Sequence, residues 1–295
     1  MIDVKNIDAL SPETLAVAVQ ALAEVGSEAT VLAGGTDLMV ALERGTWRPS
    51  GFILNISKLE PELRYIRVED DELRIGALTS FADIVQSGIL AVEAPSLVAA
   101  AKEIGAQQIQ NRATIGGNIM NASPAGDSMP ALLALDARVV LTSNEGPRTV
   151  PLFSFYSGYR ETVSKPSELL TEVRISRRLR VTQDYFRKVA PRRAQAISKV
   201  ILAARAWDLT ATEEGTRLGS VRIGVGSVAP TPLRLFETER LLESEILTPA
   251  LMAASTRMLE TEISPIDDVR STAEYRRQVC RRLLEEFLSN LLLES

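Results

Sequence analysis

The sequence predicts an α+β protein: two α/β subdomains followed by a smaller α+β domain. Three observations predict it. The opening stretch alternates helix, strand, helix and strand. The middle of the chain changes to hairpins and short helices. The last third combines alternating strands with a long amphipathic helix.

Ser11-Pro12-Glu13 has the signature of an N-cap with proline at the first helical position, and Leu15, Val19, Leu22 and Val25 follow at helical spacing until Gly26 supplies a stop. Ala29 to Ala33 is an apolar strand that runs into Gly34-Gly35; Met39 to Arg44 reads as a short helix and Gly51 to Ile56 as a second buried strand. Tyr65 to Val68 and Leu73 to Ile75 flank the acidic turn Glu69-Asp70-Asp71-Glu72, a hairpin pattern. Phe81 to Ser87 and Pro95 to Ile104 read as helices, Met129 to Leu135 is apolar, Val139 to Thr142 pairs with Arg148 to Val150 across Asn144-Glu145-Gly146, and Glu168 to Ile175 is a further strand. A boundary near Arg177 to Val181 divides the chain into 1–176, with subdomains of about 1–57 and 58–176, and 182–295. Beyond it, the pattern of Ile197 to Ala206 fits helix or strand equally, whereas Val221, Ile223 and Val225 alternate as in a strand. Thr248-Pro249 starts a helix through Met258, and Tyr275, Val279, Leu283, Phe287 and Leu291 mark a C-terminal amphipathic helix.

Composition excludes several chemistries. The 295 residues are 45% hydrophobic, enough for a sizeable core, and the net charge of −5 argues against a nucleic-acid-binding surface. No apolar run approaches the roughly 18 residues of a membrane span. Met1 to Asn6 has neither the basic nor the apolar segment of a secretory signal. The one cysteine, Cys280, fits a reducing cytoplasm and reads as a small buried residue. With no histidine, a Ser-His-Asp triad, a histidine-ligated zinc and a histidyl-flavin tether are all impossible, and one thiol cannot hold an iron–sulfur cluster. Redox chemistry on this chain therefore belongs to a bound organic cofactor.

Two segments carry the binding chemistry. Val31-Leu32-Ala33-Gly34-Gly35-Thr36-Asp37-Leu38 and Thr114-Ile115-Gly116-Gly117-Asn118 each break from apolar residues into paired glycines beside hydroxyl and amide side chains, and the second continues into Asn121-Ala122-Ser123-Pro124-Ala125-Gly126-Asp127. Such turns line up backbone N–H groups into anion-binding concavities. Two of them suit the two phosphates of a dinucleotide.

Ile109-Gln110-Asn111-Arg112-Ala113-Thr114-Ile115-Gly116-Gly117-Asn118, the Asn121 to Asp127 continuation, Phe186 to Arg193, Ser227-Val228-Ala229-Pro230-Thr231-Pro232 and Asp268 to Arg277 occur in this order along the chain. Together they resemble the flavoprotein medium subunit of the molybdenum hydroxylases, a family that includes xanthine, carbon monoxide and nicotinate dehydrogenases. The resemblance implies an FAD-binding domain of the PCMH type, and it turns the Ile197 to Ala206 stretch into a strand paired with Leu218 to Ser227.

It also implies residue roles. Gly34, Gly35 and Thr36, within Val31 to Leu38, present N–H groups and a hydroxyl to one phosphate of a non-covalent FAD, while Asp37 caps the following helix or orders the loop. Thr114, Ile115, Gly116, Gly117 and Asn118 hold the other phosphate, and Asn121, Ser123 and Asp127 offer partners to ribityl or ribose hydroxyls. For Asp127 a helix N-cap is an equal alternative. Ile104 stands where some relatives place an aromatic near the adenine, with core packing as the alternative, and Leu170 is an apolar wall for the isoalloxazine or a buried strand residue. Lys188 is assigned to the flavin itself, against the alternative of a solvated lysine in a basic run. Arg192 and Arg193 face a partner or a nicotinamide dinucleotide; Arg276, Arg277, Arg281 and Arg282 form a solvated helix face.

No residue is expected to be catalytic or to bind metal. The implied function is that of an FAD-carrying electron-transfer subunit. It takes electrons from [2Fe-2S] clusters on a small subunit, which a large molybdopterin subunit supplies, and passes them to NAD+, a quinone or oxygen. A self-sufficient PCMH-type flavin oxidoreductase and a non-catalytic assembly module are the alternatives.

Overall fold

Three main sheets, each backed by its own hydrophobic cluster, and two small two-stranded ones organise the computed structural model, which describes residues 8–47, 51–177, 183–192 and 195–292. The protein is α+β, as its pattern predicts.

The first sheet is parallel, with Phe52–Asn55 between Asp8–Leu10 and Ala29–Leu32. The helix Leu15–Val25 buries Ala18, Val19, Ala21 and Leu22 in a cluster with Leu54, Ile56 and Leu59. It starts later than the Ser11-Pro12 signature predicts. Thr14 is the N-cap, its hydroxyl accepting from the Val17 amide, and Glu62 accepts from the Leu15 amide, so the first-turn donors find partners only there. Gly26 ends the helix with φ 62°, as expected.

The second sheet is antiparallel and five-stranded: Ile66–Glu69, Glu72–Gly76, Leu169–Ser176, Arg138–Ser143, Gly146–Pro151. Asp70 and Asp71 both have positive φ, the geometry of a tight two-residue hairpin turn. Helices Phe81–Gln86, Pro95–Lys102, Ile115–Met120 and Met129–Ala134 contribute to one cluster with the sheet's Leu73, Ile75, Val139, Leu141 and Val173.

The third sheet runs Gln183–Val189, Val200–Trp207, Ser220–Gly226, Leu233–Arg234, all antiparallel. Val200–Trp207 is buried along its whole length. Leu202 and Ala204 face the cluster made with helix Ala273–Asn290, while Ala203 joins the second sheet's cluster on the other side. A strand buried on both faces loses its period-two alternation, which is why the pattern alone fitted helix equally well.

Helix Ala273–Asn290 corrects one expectation. Arg276 is not on the solvated face. It lies on the same stripe as Cys280, Leu283 and Phe287, is 4% exposed, and donates to the carbonyls of Lys199 and Ser227 and to Asp268. Burial pushes the Cys280 thiol up to about 12, so it stays protonated and unreactive.

Buried charge joins the third sheet to the helices packed on the second. Arg205, 2% exposed at its side chain, donates to Asp184 at 3.0 Å and to the Glu93 carbonyl at 2.9 Å. Asp184 in turn accepts from the Ser96 amide in the first turn of Pro95–Lys102. Removing one member of a buried pair strands the other's charge. Arg205→Met is therefore expected to lower the unfolding free energy by about 3–5 kcal/mol, read from urea transitions. Cys280 is expected to resist maleimide in the native protein and to react once it is unfolded.

Candidate FAD site

The first glycine loop is built by a strand that stops and a helix that starts without a capping side chain. Ala29–Leu32 leads to Gly35, which takes φ 74° and occupies the N-cap of Thr36–Glu43. The helix thus begins before the predicted Met39. No side chain caps it, so the expected capping role of Asp37 is not met. Gly35 holds the N-cap position, and Asp37 lies exposed in the first turn. The backbone amides of Gly34, Gly35, Thr36, Asp37 and Leu38 find no acceptor among the described residues. A left-handed residue followed by a helix N-terminus gathers these donors where the helix dipole is positive, the arrangement that binds phosphate.

Gly34 brings the two predicted loops together. A Cβ there would fall inside the Arg112 carbonyl oxygen and lie 3.2 Å from the Ala113 Cα. The first loop therefore rests directly on the segment that introduces the second.

In the second loop Thr114 is the N-cap of Ile115–Met120, its hydroxyl accepting from the Gly117 amide at 3.1 Å. The neighbouring amides are also used: Ile115 donates to the Thr79 carbonyl, Gly116 to Ala77 and Asn118 to Thr114. A Cβ on Gly116 would lie 2.7 Å from the Ala77 Cβ and 2.8 Å from its carbonyl oxygen. The second loop thus differs from the first. Its first glycine allows close packing, Gly117 is exposed at the surface, and its amides are already bonded within the chain.

The continuation is fixed through its side chains. Asn118 Oδ1 accepts from the Ser128 hydroxyl at 2.7 Å, and Asn121 Oδ1 accepts from Arg160 at 2.9 Å. The Ser123 hydroxyl accepts from the Ala125 amide, and the Pro124 carbonyl from the Ser227 amide of the third sheet's border. Asn118, Asn121 and Ser123 stay half-buried, with access to solvent.

Asp127 and Lys188 meet. Lys188 Nζ is 2.6 Å from Asp127 Oδ2 and donates to the Glu103 carbonyl at 3.0 Å; Ser198 donates to Asp127 Oδ1. Lys188 is buried, which overturns the alternative of a solvated lysine. Asp127 is no N-cap: Ser128 holds that position before Met129–Ala134. Burial pushes the Asp127 carboxyl up from its ordinary value, while the Lys188 ammonium and the Ser198 hydroxyl pull it down.

The apolar candidates divide. Ile104, Ile115 and Leu170 are buried members of the second cluster, Leu170 opposite Leu141 in the sheet. Val31 and Ala33 are half-buried against the first cluster, and Leu32 and Leu38 are also half-buried. Arg192 donates to the Gln195 carbonyl, whereas Arg193 lies outside the described residues. Sequence reasoning missed Arg160 and Ser198, which hold Asn121 and Asp127. Only the packing of distant segments reveals either.

Free amides at a helix N-terminus, beside a loop that carries hydroxyl and amide side chains, fit a phosphate-bearing cofactor. The class of protein that such a site defines is one that carries a phosphate-bearing organic cofactor, and the family comparison makes that cofactor a flavin. A family model described as the FAD binding domain in molybdopterin dehydrogenase matches residues 5–177, and one described as the CO dehydrogenase flavoprotein C-terminal domain matches residues 185–291. The chain belongs to the FAD-binding flavoprotein family of the molybdopterin dehydrogenases. It is 30% identical to the nicotinate dehydrogenase FAD-subunit of Eubacterium barkeri, over 98% of this chain and 97% of that protein. It is equally 30% identical to the carbon monoxide dehydrogenase medium chain of Hydrogenophaga pseudoflava, over 95% and 94%. A solved structure of carbon monoxide dehydrogenase from that organism, lacking the Mo-pyranopterin moiety of its cofactor, superposes with a TM-score of 0.88 at 28% identity, covering 96% of each chain. The chain is an FAD-dependent oxidoreductase subunit of the xanthine dehydrogenase-like type.

Gly34→Ala is expected to push the two loops apart, at about 1–3 kcal/mol of overpacking, and to weaken FAD binding at least tenfold in a fluorescence titration. Gly88→Ala, in a helix where an added Cβ meets nothing within 4 Å, is the control and is expected to leave both stability and binding intact.

Proposed function

We propose that this chain carries electrons within a molybdenum hydroxylase complex. It receives them at its FAD from [2Fe-2S] clusters on a small subunit, fed in turn by a large molybdopterin subunit, and delivers them to NAD+, a quinone or oxygen. The observation that carries the reading is the row of unbonded amides from Gly34 to Leu38, seated by Gly34 against the second loop. The names of the relatives support the multi-subunit setting: one is a medium chain and another an FAD-subunit.

Each region has a part in this scheme. The Gly34 to Leu38 amides and the Thr36 hydroxyl hold one phosphate. Thr114, Gly116, Gly117 and Asn118 close over the other from the adjoining helix, offering a close backbone approach and two side-chain donors, the Thr114 hydroxyl and the Asn118 amide N–H. Asn121, Ser123 and Asp127 address hydroxyls of the cofactor, Ile104 and Leu170 support its ring systems from the core, and Lys188 addresses the flavin. FAD, when bound, supplies the two-electron chemistry, and the protein supplies binding, access and electrostatics. The division into 1–176 and 182–295 is part of the proposal, supported by hydrophobic clusters on either side of it, the first of which also takes in Ala203 from beyond the division. A cytoplasmic location is proposed from the single cysteine; no helix among the described residues is long and apolar enough to cross a membrane.

Titration of the full chain with FAD tests the reading. One FAD per chain is expected, released by acid because no histidine can tether it. A Gly116→Val/Gly117→Val variant is expected to lose binding by tenfold or more, about 1.4 kcal/mol. A folded wild-type chain that takes up no flavin would contradict the proposal.

A further inference from the structure

The cluster of Asp127, Lys188 and Ser198 lies where the second glycine segment meets the third sheet. The Lys188 side chain is 4% exposed, and Ser198 as a whole residue 1%. An ammonium that deep is costly unless its charge is met. Here it is met twice, by the Asp127 carboxylate at 2.6 Å and by the Glu103 carbonyl at 3.0 Å. An ammonium has three donors, so these contacts leave one N–H to serve a ligand.

The carboxylate is itself held. Its Oδ2 faces Lys188 and its Oδ1 accepts from Ser198. Ser198 has little freedom to swing away. The Lys199 amide donates to the Val189 carbonyl at 2.8 Å, and Val189 pairs with Val200, closing the base of the loop between the two strands. Lys188, on strand Gln183–Val189, and Ser198, two residues before strand Val200–Trp207, therefore approach Asp127 from neighbouring segments of the third sheet. Of the charged groups around the carboxyl, Lys188 favours its ionised form and Glu103 opposes it.

We propose that Asp127 and Ser198 are positioning residues for Lys188. They hold its ammonium against the Glu103 carbonyl and compensate its charge, so that a flavin beside it feels an ion pair, not a lone cation. The proposal rests on the FAD reading above and deepens it. A cation near the pyrimidine side of a flavin favours the reduced, anionic form. On this arrangement, the strength of that effect is set by how fully Asp127 cancels Lys188.

The test is the midpoint potential of FAD bound to the full chain, measured by dye equilibration beside an FAD titration. Asp127→Asn keeps the shape and removes the compensating charge. It is expected to raise the reduced-to-oxidised ratio at fixed potential about tenfold, ~30 mV for a two-electron couple. Lys188→Met is expected to shift the ratio the other way; in that background Asp127, buried with no ammonium to hold its charge, takes up a proton, so Asp127→Asn is expected to change little. Ser198→Ala is expected to shift the potential in the same direction as Asp127→Asn, by less, and increasingly as pH falls. Losing the hydroxyl donor makes the carboxylate easier to protonate, and protonation frees the Lys188 charge.

A purely structural cluster would weaken FAD binding without this dependence on Lys188. An unmoved or lowered potential in Asp127→Asn with FAD stoichiometrically bound would overturn the proposal, as would an equal rise in the absence of Lys188. If Asp127→Asn does not fold, Ser198→Ala decides: a potential unmoved at every pH overturns the proposal. A wild-type chain that takes up no FAD overturns the reading beneath it as well, which separates the two failures.

Discussion

Close backbone contacts that only glycine permits set where the parts of this protein stand. Gly34 lets the loop of the first sheet lie on the Arg112 carbonyl, and Gly224 lets the third sheet lie on the Pro130 carbonyl of helix Met129–Ala134. Neither contact has room for a Cβ. Each brings two main chains together with no intervening side chain to bend or repack, so the relative position of the units is fixed tightly. The free amides of Gly34 to Leu38 lie next to the segment that leads into the second loop because the Gly34 contact exists. The loop from Ser123 to Asp127 is held from the far side because the Gly224 contact and the Ser227-to-Pro124 hydrogen bond exist.

Around these contacts the seams carry buried charge. Arg205 with Asp184 joins the third sheet to helix Pro95–Lys102; Arg234, in a buried pair with Glu239, reaches the half-exposed Asp136 beyond the end of the Met129 helix; Lys188 with Asp127 joins the third sheet to the second loop. Burying ions costs several kcal/mol each, and a good partner returns roughly that amount, so such pairs add little net stability. What they add is geometry. An apolar seam tolerates sliding by a fraction of a side chain. A buried arginine that must meet a carboxylate and a backbone carbonyl together, as Arg205 does, has one acceptable position. For a protein that positions a cofactor between separately cored units, that constraint is worth more than the stability it forgoes.

Much of this was legible in the sequence, for physical reasons that can be named. Gly26, the Asp70-Asp71 turn and the alternation of Val221, Ile223 and Val225 are local signals, decided by neighbours in the chain. The Gly34-Gly35 segment announced a strand-to-helix turn, and the structure adds that its amides are unbonded. Where the reading went astray, distant residues had decided. Glu62 takes the Leu15 amide and helps to move a helix start. The carbonyls of Lys199 and Ser227 and the Asp268 carboxylate draw Arg276 inward from an otherwise basic helix face. Ser198 and Arg160 gain their importance only because folding carries them to Asp127 and Asn121. Periodicity reports burial on one face of one element, and it is silent about which polar partner waits there.

The second glycine pair shows the same limit more sharply. Both pairs look alike on paper, yet Gly34 to Leu38 keep their amides free while Ile115 to Asn118 donate within the chain. Thr114 is the cause. Its hydroxyl caps the Gly117 amide, and its bridge to Ser80 aligns the loop so that Ile115 and Gly116 reach the Thr79 and Ala77 carbonyls. The first loop has a glycine at the equivalent cap position and no side chain to do this. One loop is thereby left open to an anion, and the other is stiffened into a wall against which the anion and its attached groups can be placed. A flavoprotein that only passes electrons needs no acid or base to act on a substrate. It needs a cofactor held in one place at one potential, and an open donor row set against a rigid, internally satisfied partner supplies the first of these.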